Sequence, residues 1–175
     1  MKPKRILRTL VILIILSSNI GCDQISKNVI RQRIDYSEQI TLINNFLTLT
    51  KIENTGAFLS VGQSLPRPTK LLLLTILPLI VLGLAFIYLL TKKDLSNWTI
   101  IGICFIIGGG VGNIYDRLIY GSVTDFLHMD FVIFQTGIFN MADVSIMTGT
   151  FVVLFESYIK RNKLTYETSD KQSEE

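Results

Sequence analysis

Residues 71–90 read LLLLTILPLIVLGLAFIYLL, a run without one charged side chain. A helix of about 20 apolar residues crosses the hydrocarbon of a bilayer. Backbone at that depth must bond to itself, so the run is a membrane helix. Working outward, comparable runs occupy about residues 98–115 and 138–159, and a shorter one opens near residue 6 and extends as a helix toward residue 27. The 175 residues are 49% hydrophobic and 18% charged, a balance typical of membrane chains. The expected fold class is membrane all-α, a four-transmembrane-helix bundle. One domain is expected over residues 1–160 and a disordered cytoplasmic tail over 161–175.

The basic residues orient the bundle. Lys2, Lys4, Arg5 and Arg8 precede the first span, Lys92 and Lys93 lie between the second and third, and Lys160, Arg161 and Lys163 follow the fourth. Positively charged flanks stay in the cytoplasm, which places both termini there. The segments around residues 23–70 and 116–137 then lie outside. In the first of these, from about residue 39 to 62, the period changes: Ile40, Leu42, Leu47, Leu49 and Ile52 stand among polar residues. That pattern predicts a small antiparallel sheet on the extracytoplasmic side, with Asn44-Asn45 as its turn. Pro78 is a candidate kink in the second span, and Gly108, Gly109, Gly110 and Gly112 in the third invite close helix packing. The net charge of +3 follows from topology and calls for no nucleic acid.

The opening segment imitates another signal. A basic start, an apolar run and Ser17-Ser18-Asn19-Ile20-Gly21-Cys22 resemble a bacterial lipoprotein signal peptide. Asn19 replaces the leucine such a site prefers, and three further spans follow, so a retained helix is expected. No disulfide is expected between Cys22 and Cys104, and no metal or cofactor, because no Cys/His cluster has ligand spacing. His128, the single histidine, reads as a loop residue with an ordinary surface role.

Against this apolar background two carboxylates stand out, Asp125 in Val123-Thr124-Asp125-Phe126 and Asp143 in Phe139-Asn140-Met141-Ala142-Asp143. Carboxylates at membrane depth are costly and mark function. Two of them close together share one proton, the arrangement that makes one an acid and the other a base. Taken singly, each has a plain alternative. Asn140 and Asp143 suit a helix N-cap and its third residue, and Asp125 suits a turn. Asn113, Asp116 and Arg117 fall at helical spacing on one face, with Asp116 in a local charge network and Arg117 suited to a substrate carbonyl.

Together the motifs resemble those of the lipoprotein signal peptidases, or signal peptidase II. The resemblance rests on Asp23-Gln24-Ile25-Ser26-Lys27, on Asn54-Thr55-Gly56-Ala57, on Gly112-Asn113 with Asp116-Arg117 followed by Gly121, Val123, Asp125 and Phe126, and on Phe139-Asn140 with Ala142-Asp143. It implies an intramembrane aspartic endopeptidase that cleaves prolipoproteins before a diacylglyceryl-modified cysteine, using an activated water and no cofactor or metal. By the same resemblance Asp125 and Asp143 are the catalytic dyad, and Asn54, Asn113, Arg117 and Asn140 bind substrate. Asp23, Gly56 and Asp116 are structural supports, with Asp23 expected to tie the first span to the outer sheet. It further implies a monomer in the bacterial cytoplasmic (inner) membrane, working on membrane lipid-anchored substrates and blocked by globomycin-type inhibitors. One departure is visible: Phe58 and Leu59 stand where the family has Ala and an aromatic residue. Two rivals share the carboxylates, a small transporter or proton channel and a non-catalytic membrane scaffold. A channel needs a relay that continues across the bilayer, and residues 71–90 supply none.

Overall fold

The computed structural model of the protein describes residues 3–44, 46–57 and 60–173, with side chains between residues 6 and 162. Helix α1 (Pro3–Arg33) is followed by strands β1 (Gln39–Ile43) and β2 (Leu47–Asn54). A short α2 (Arg67–Leu71), a π-helical turn (Leu72–Ile76) and α3 (Leu77–Thr91) form one continuous rod. Then come α4 (Asn97–Tyr120), β3 (Val123–Met129) and α5 (Met141–Ser173). Four helical stretches are long and apolar enough to cross a membrane: Ile6–Arg33, Arg67–Thr91, Asn97–Tyr120 and Met141–Asn162.

Several boundaries differ from the sequence reading, each for a local reason. The first helix runs on to Arg33, because Asp23, Lys27 and Arg31 turn inward at helical spacing instead of ending it. The third continues to Tyr120 and stops at Gly121, whose φ of 77° is the left-handed cap that favours glycine. The fourth begins at Met141, after its cap. Its backbone stays helical to Ser173, where a disordered tail is expected; this stretch holds neither Gly nor Pro to end it. Pro78 acts one turn earlier than a simple kink. Its missing N–H removes a helical bond, and the rod widens into the π turn at Leu72–Ile76.

The sheet has three strands in the order β1-β2-β3, both pairs antiparallel, one more than the reading of residues 39–62 supplies. The third comes from the connection after α4, so Asp125 sits on a strand and not in a turn, and His128 is likewise a strand residue. Asn44 lies in the β1–β2 turn, and Asn45 falls outside the described residues.

The helices are joined by polar contacts at both ends. At the end away from the sheet, Arg8 donates to the carbonyls of Leu89 (2.8 Å) and Lys92 (2.8 Å), capping the last turn of α3. Near the same end Glu156 of α5 accepts from Ser96 and Thr99 at the start of α4. At the sheet end, Lys27 of α1 is fully buried between Asp23 (2.9 Å) and Asp116 (3.0 Å), and Arg31 closes on Asp116 at 2.9 Å. Two cations face two carboxylates, so the network is neutral as a whole. Asp23 also accepts from the main-chain N–H of Ala142 at 2.9 Å, holding α1 to the first turn of α5. The expected tie from Asp23 to the sheet is therefore corrected. Lys51, bonding the Ile34 carbonyl at 2.9 Å, and Arg31, bonding Thr124 at 2.8 Å, make that connection instead. Cys22 is exposed and Cys104 buried, both as free thiols.

Two stability predictions follow from this packing. Lys27→Met leaves two buried carboxylates facing one guanidinium and should cost about 3–5 kcal/mol. Adding Asp23→Asn should restore part of that loss in a denaturant titration in mixed micelles; a silent Lys27→Met would show that the network carries no weight. A Cβ at Gly109 would collide with the Ala142 carbonyl of α5, whereas one at Gly83 meets nothing within 4 Å. Gly109→Ala should lower stability by about 1–3 kcal/mol, and Gly83→Ala should be neutral or stabilising by up to about 1 kcal/mol.

Candidate active site

Four chain segments converge at the sheet end of the bundle. They are the end of β2 with its following loop, the last two turns of α4, the middle of β3 and the first turn of α5. The first turn of α5 is a reciprocal cap. Asn140 accepts from the Asp143 N–H at 3.0 Å, and Asp143 accepts from the Asn140 N–H at 3.1 Å. The cap predicted for this pair is thus present, and it does more than start a helix. The Asn140 side-chain amide donates to Asp125 (2.6 Å) and to the Asn113 oxygen (3.2 Å). Asn113 in turn donates to Asp143 at 2.9 Å and accepts from Lys27 at 2.8 Å. Two asparagines therefore link both carboxylates and connect them to the buried charge network below.

Asn54 closes the site from the β2 side. Its amide donates to the other oxygen of Asp125 (2.9 Å) and to the Ala57 carbonyl (3.0 Å), while its oxygen accepts from the Gly56 N–H at 2.9 Å. The loop folds so tightly that a Cβ at Gly56 would lie 2.7 Å from the Ser60 and Val61 carbonyl oxygens, which only glycine avoids. The Gly56 carbonyl accepts from Arg117 at 2.9 Å, so the guanidinium spans from α4 to the loop. Phe58 and Leu59, the departure from the resembled family, fall outside the described residues.

Asp125 is buried. Burial pushes its carboxyl up to about 6; the Asn54 hydrogen bond pulls the other way, and the nearby Asp143 charge adds to the rise. Both Asp125 oxygens already accept amide N–H groups, so the carboxyl is held in a defined orientation.

Two cavities of about 520 Å³ each border the pair. One lies against the sheet, lined by Asp125 together with Thr48, Thr50, Asn54, His128 and Thr136. The other is mostly apolar, lined by Leu74, Pro78, Ile146 and Met147 with Asn113, Arg117 and Asp143 at its head. Asn54 borders the first and Ala57 the second, so their short loop belongs to both.

Most of the predicted residues assemble here: Asn54, Gly56, Asn113, Arg117, Asp125, Asn140 and Asp143. Asp116 does not. On α4 it turns toward α1 and pairs with Lys27 and Arg31 instead of Arg117. Sequence reasoning missed Lys27 and Arg31 as buried partners, although the spacing Asp23, Lys27, Arg31 marks one helix face. It also missed His128. In a regular strand, side chains three residues apart point to opposite faces. Here five residues of β2, from Thr48 to Ile52, run opposite four of β3, from His128 to Asp125, and the Phe126 and Leu127 N–H groups both donate to the Phe139 carbonyl (3.0 and 2.8 Å). This irregularity brings His128 into the cavity of Asp125, with a buried Nδ1 that has no partner among the described residues.

The chain can be set beside known proteins. Residues 12–159 match the family model described as signal peptidase (SPase) II. A lipoprotein signal peptidase of Streptococcus pneumoniae is 36% identical over 154 residues, covering 88% of this chain and 93% of that one. One from Enterococcus faecalis is 34% identical over 163 residues, covering 89% and 96%. Among solved structures, a bacterial membrane enzyme superposes with a TM-score of 0.75 at 24% identity, covering 92% of this chain and 91% of that one, which is a likeness of fold. With the family model reaching into all four apolar helices, this chain is a multi-pass bacterial membrane protein that belongs to the signal peptidase II family.

Proposed function

We propose that the protein is an aspartic endopeptidase that removes signal peptides from prolipoproteins, cutting before a diacylglyceryl-modified cysteine. The observation that supports this most strongly is the double attachment of Asn140, by its side chain to Asp125 and by its main chain to Asp143. It ties both carboxylates to one residue, and the charge of Asp143 acts on Asp125. The ionised member of the pair takes a proton from a water, and that water attacks the scissile carbonyl. The other carboxyl of the pair holds the proton that polarises the carbonyl and then passes to the leaving amine. Asn54, Asn113, Arg117 and Asn140 orient the substrate backbone and the two acids, and Asp23, Gly56 and Asp116 hold that machinery in place. The apolar cavity headed by Asp143 suits the signal helix, and the polar cavity of Asp125 suits the extended chain after the cut. In this reading the monomer sits in the cytoplasmic membrane with its termini inside and the site near the outer surface. Globomycin-type peptides would compete for the same cleft.

A gel-shift assay with purified protein and a diacylglyceryl-modified prolipoprotein tests the assignment. Asp125→Asn and Asp143→Asn should each reduce cleavage by at least about 10³-fold while the fold persists, and unlipidated substrate should stay uncut. Wild type failing on competent substrate would remove the peptidase reading; activity surviving either substitution would remove that aspartate from the dyad. The pH profile supplies a second test. Asn54→Ala deletes a bond that favours the charged form of Asp125, so the limb near pH 6 should move to higher pH. A limb that stays or falls would separate that titration from Asp125.

A further inference from the structure

At the sheet-end termini of the second and third spans a third cavity of about 420 Å³ opens, adjoining the apolar one through Leu74 and Arg117. Three cations line it, Arg67, Lys70 and Arg117, together with Thr55, Thr75 and Tyr120, and no acidic side chain does. The cations come from both span ends: Arg67 and Lys70 from the first turn of Arg67–Thr91, Arg117 from the last turn of Asn97–Tyr120. Arg67, Lys70 and Arg117 form no ion pair among the described residues, and Lys70 has a single 3.3 Å bond to the Thr55 hydroxyl. Arg117 uses its two terminal nitrogens on main-chain carbonyls, and its Nε is buried without a partner. Arg117 stands within reach of the charges of Asp125, Asp143 and Asp116, whereas Arg67 and Lys70 have no carboxylate partner among the described residues.

Three cations and no acidic side chain line this cavity, which suits it to an anion of the kind a bilayer surface presents. We propose that this cavity binds the phosphate of an anionic phospholipid headgroup, with the acyl chains lying along the lipid-exposed Leu71 and Leu118. Its ligand is a resident lipid and not the cleaved substrate. Arg117 also holds the Gly56 carbonyl, so a bound headgroup adds a contact to the side chain that fixes the active-site loop.

The test needs no cleavage assay. Full-length protein, delipidated in a neutral detergent, is titrated with phosphatidylglycerol, phosphatidylcholine or inorganic phosphate, and binding is read by native mass spectrometry and thermal unfolding. Wild type should retain phosphatidylglycerol and melt higher in its presence, with a weaker response to phosphatidylcholine and none to phosphate alone. The Arg67→Gln/Lys70→Gln double variant should bind phosphatidylglycerol about 30-fold more weakly, whereas Lys70→Arg, which keeps the charge, should retain it. Equal affinity in the double variant, or equal binding of both lipids, would overturn the site. Saturation by inorganic phosphate alone would overturn the lipid as its ligand.

Discussion

The buried ammonium of Lys27 is the contact on which the rest of the arrangement depends. It belongs to α1, yet its partners are Asp23 on its own helix and Asp116 and Asn113 on α4. An amine taken out of water without partners is strongly destabilising, so the helices must approach until these oxygens surround it. The same approach presents Asp23 to the first turn of α5. One charge thus sets the relative height of three helices. Because Asn113 accepts from Lys27 through its oxygen, its amide is turned toward Asp143. The orientation of a site residue is therefore decided one layer below the site.

That layering separates holding from chemistry. The lower layer is a set of two cations and two carboxylates, all buried or nearly so, whose charges pair with one another. The upper layer is built from amides, which orient a carboxylate without cancelling its charge. Asn54, Asn113 and Asn140 hold Asp125 and Asp143 by hydrogen bonds alone. A guanidinium paired directly with either acid would hold it as firmly, but would keep it ionised. Arg117 instead spends its terminal N–H groups on the carbonyls of Asn113 and Gly56. The sheet completes the site from a second direction, since Asn54 and Asp125 come from neighbouring strands whose pairing is set by β2 and β3.

Much of the bundle was legible in the sequence because a bilayer imposes simple rules. Charge-free length marks a span, basic flanks mark one side, and Asn140 with Asp143 marks a helix start whatever else surrounds it. The two aspartates stand out for a related reason, since charged residues are few in this part of the chain. The dyad assignment itself came from the order of the boxes around them, since each box alone had a plain alternative.

What the sequence left open depends on partners far away along the chain. Residues 123–129 carry no signal that they pair with residues 47–54, because strand pairing is a property of two segments, and a loop reading of His128 was natural without it. Asp116 adjoins Arg117 in sequence but faces Lys27 and Arg31 in space, because neighbours on a helix diverge by about 100°. The one-residue mismatch between β2 and β3 that carries His128 to the face of Asp125 is likewise invisible to a period count. The sequence by itself determined the spans, the cap of α5 and the inventory of acids and amides, since hydropathy and capping are local. Which amide holds which acid, and which cations gather around one cavity, follow from the fold in space, because burial and Coulomb energy depend on distances that no spacing along the chain prescribes.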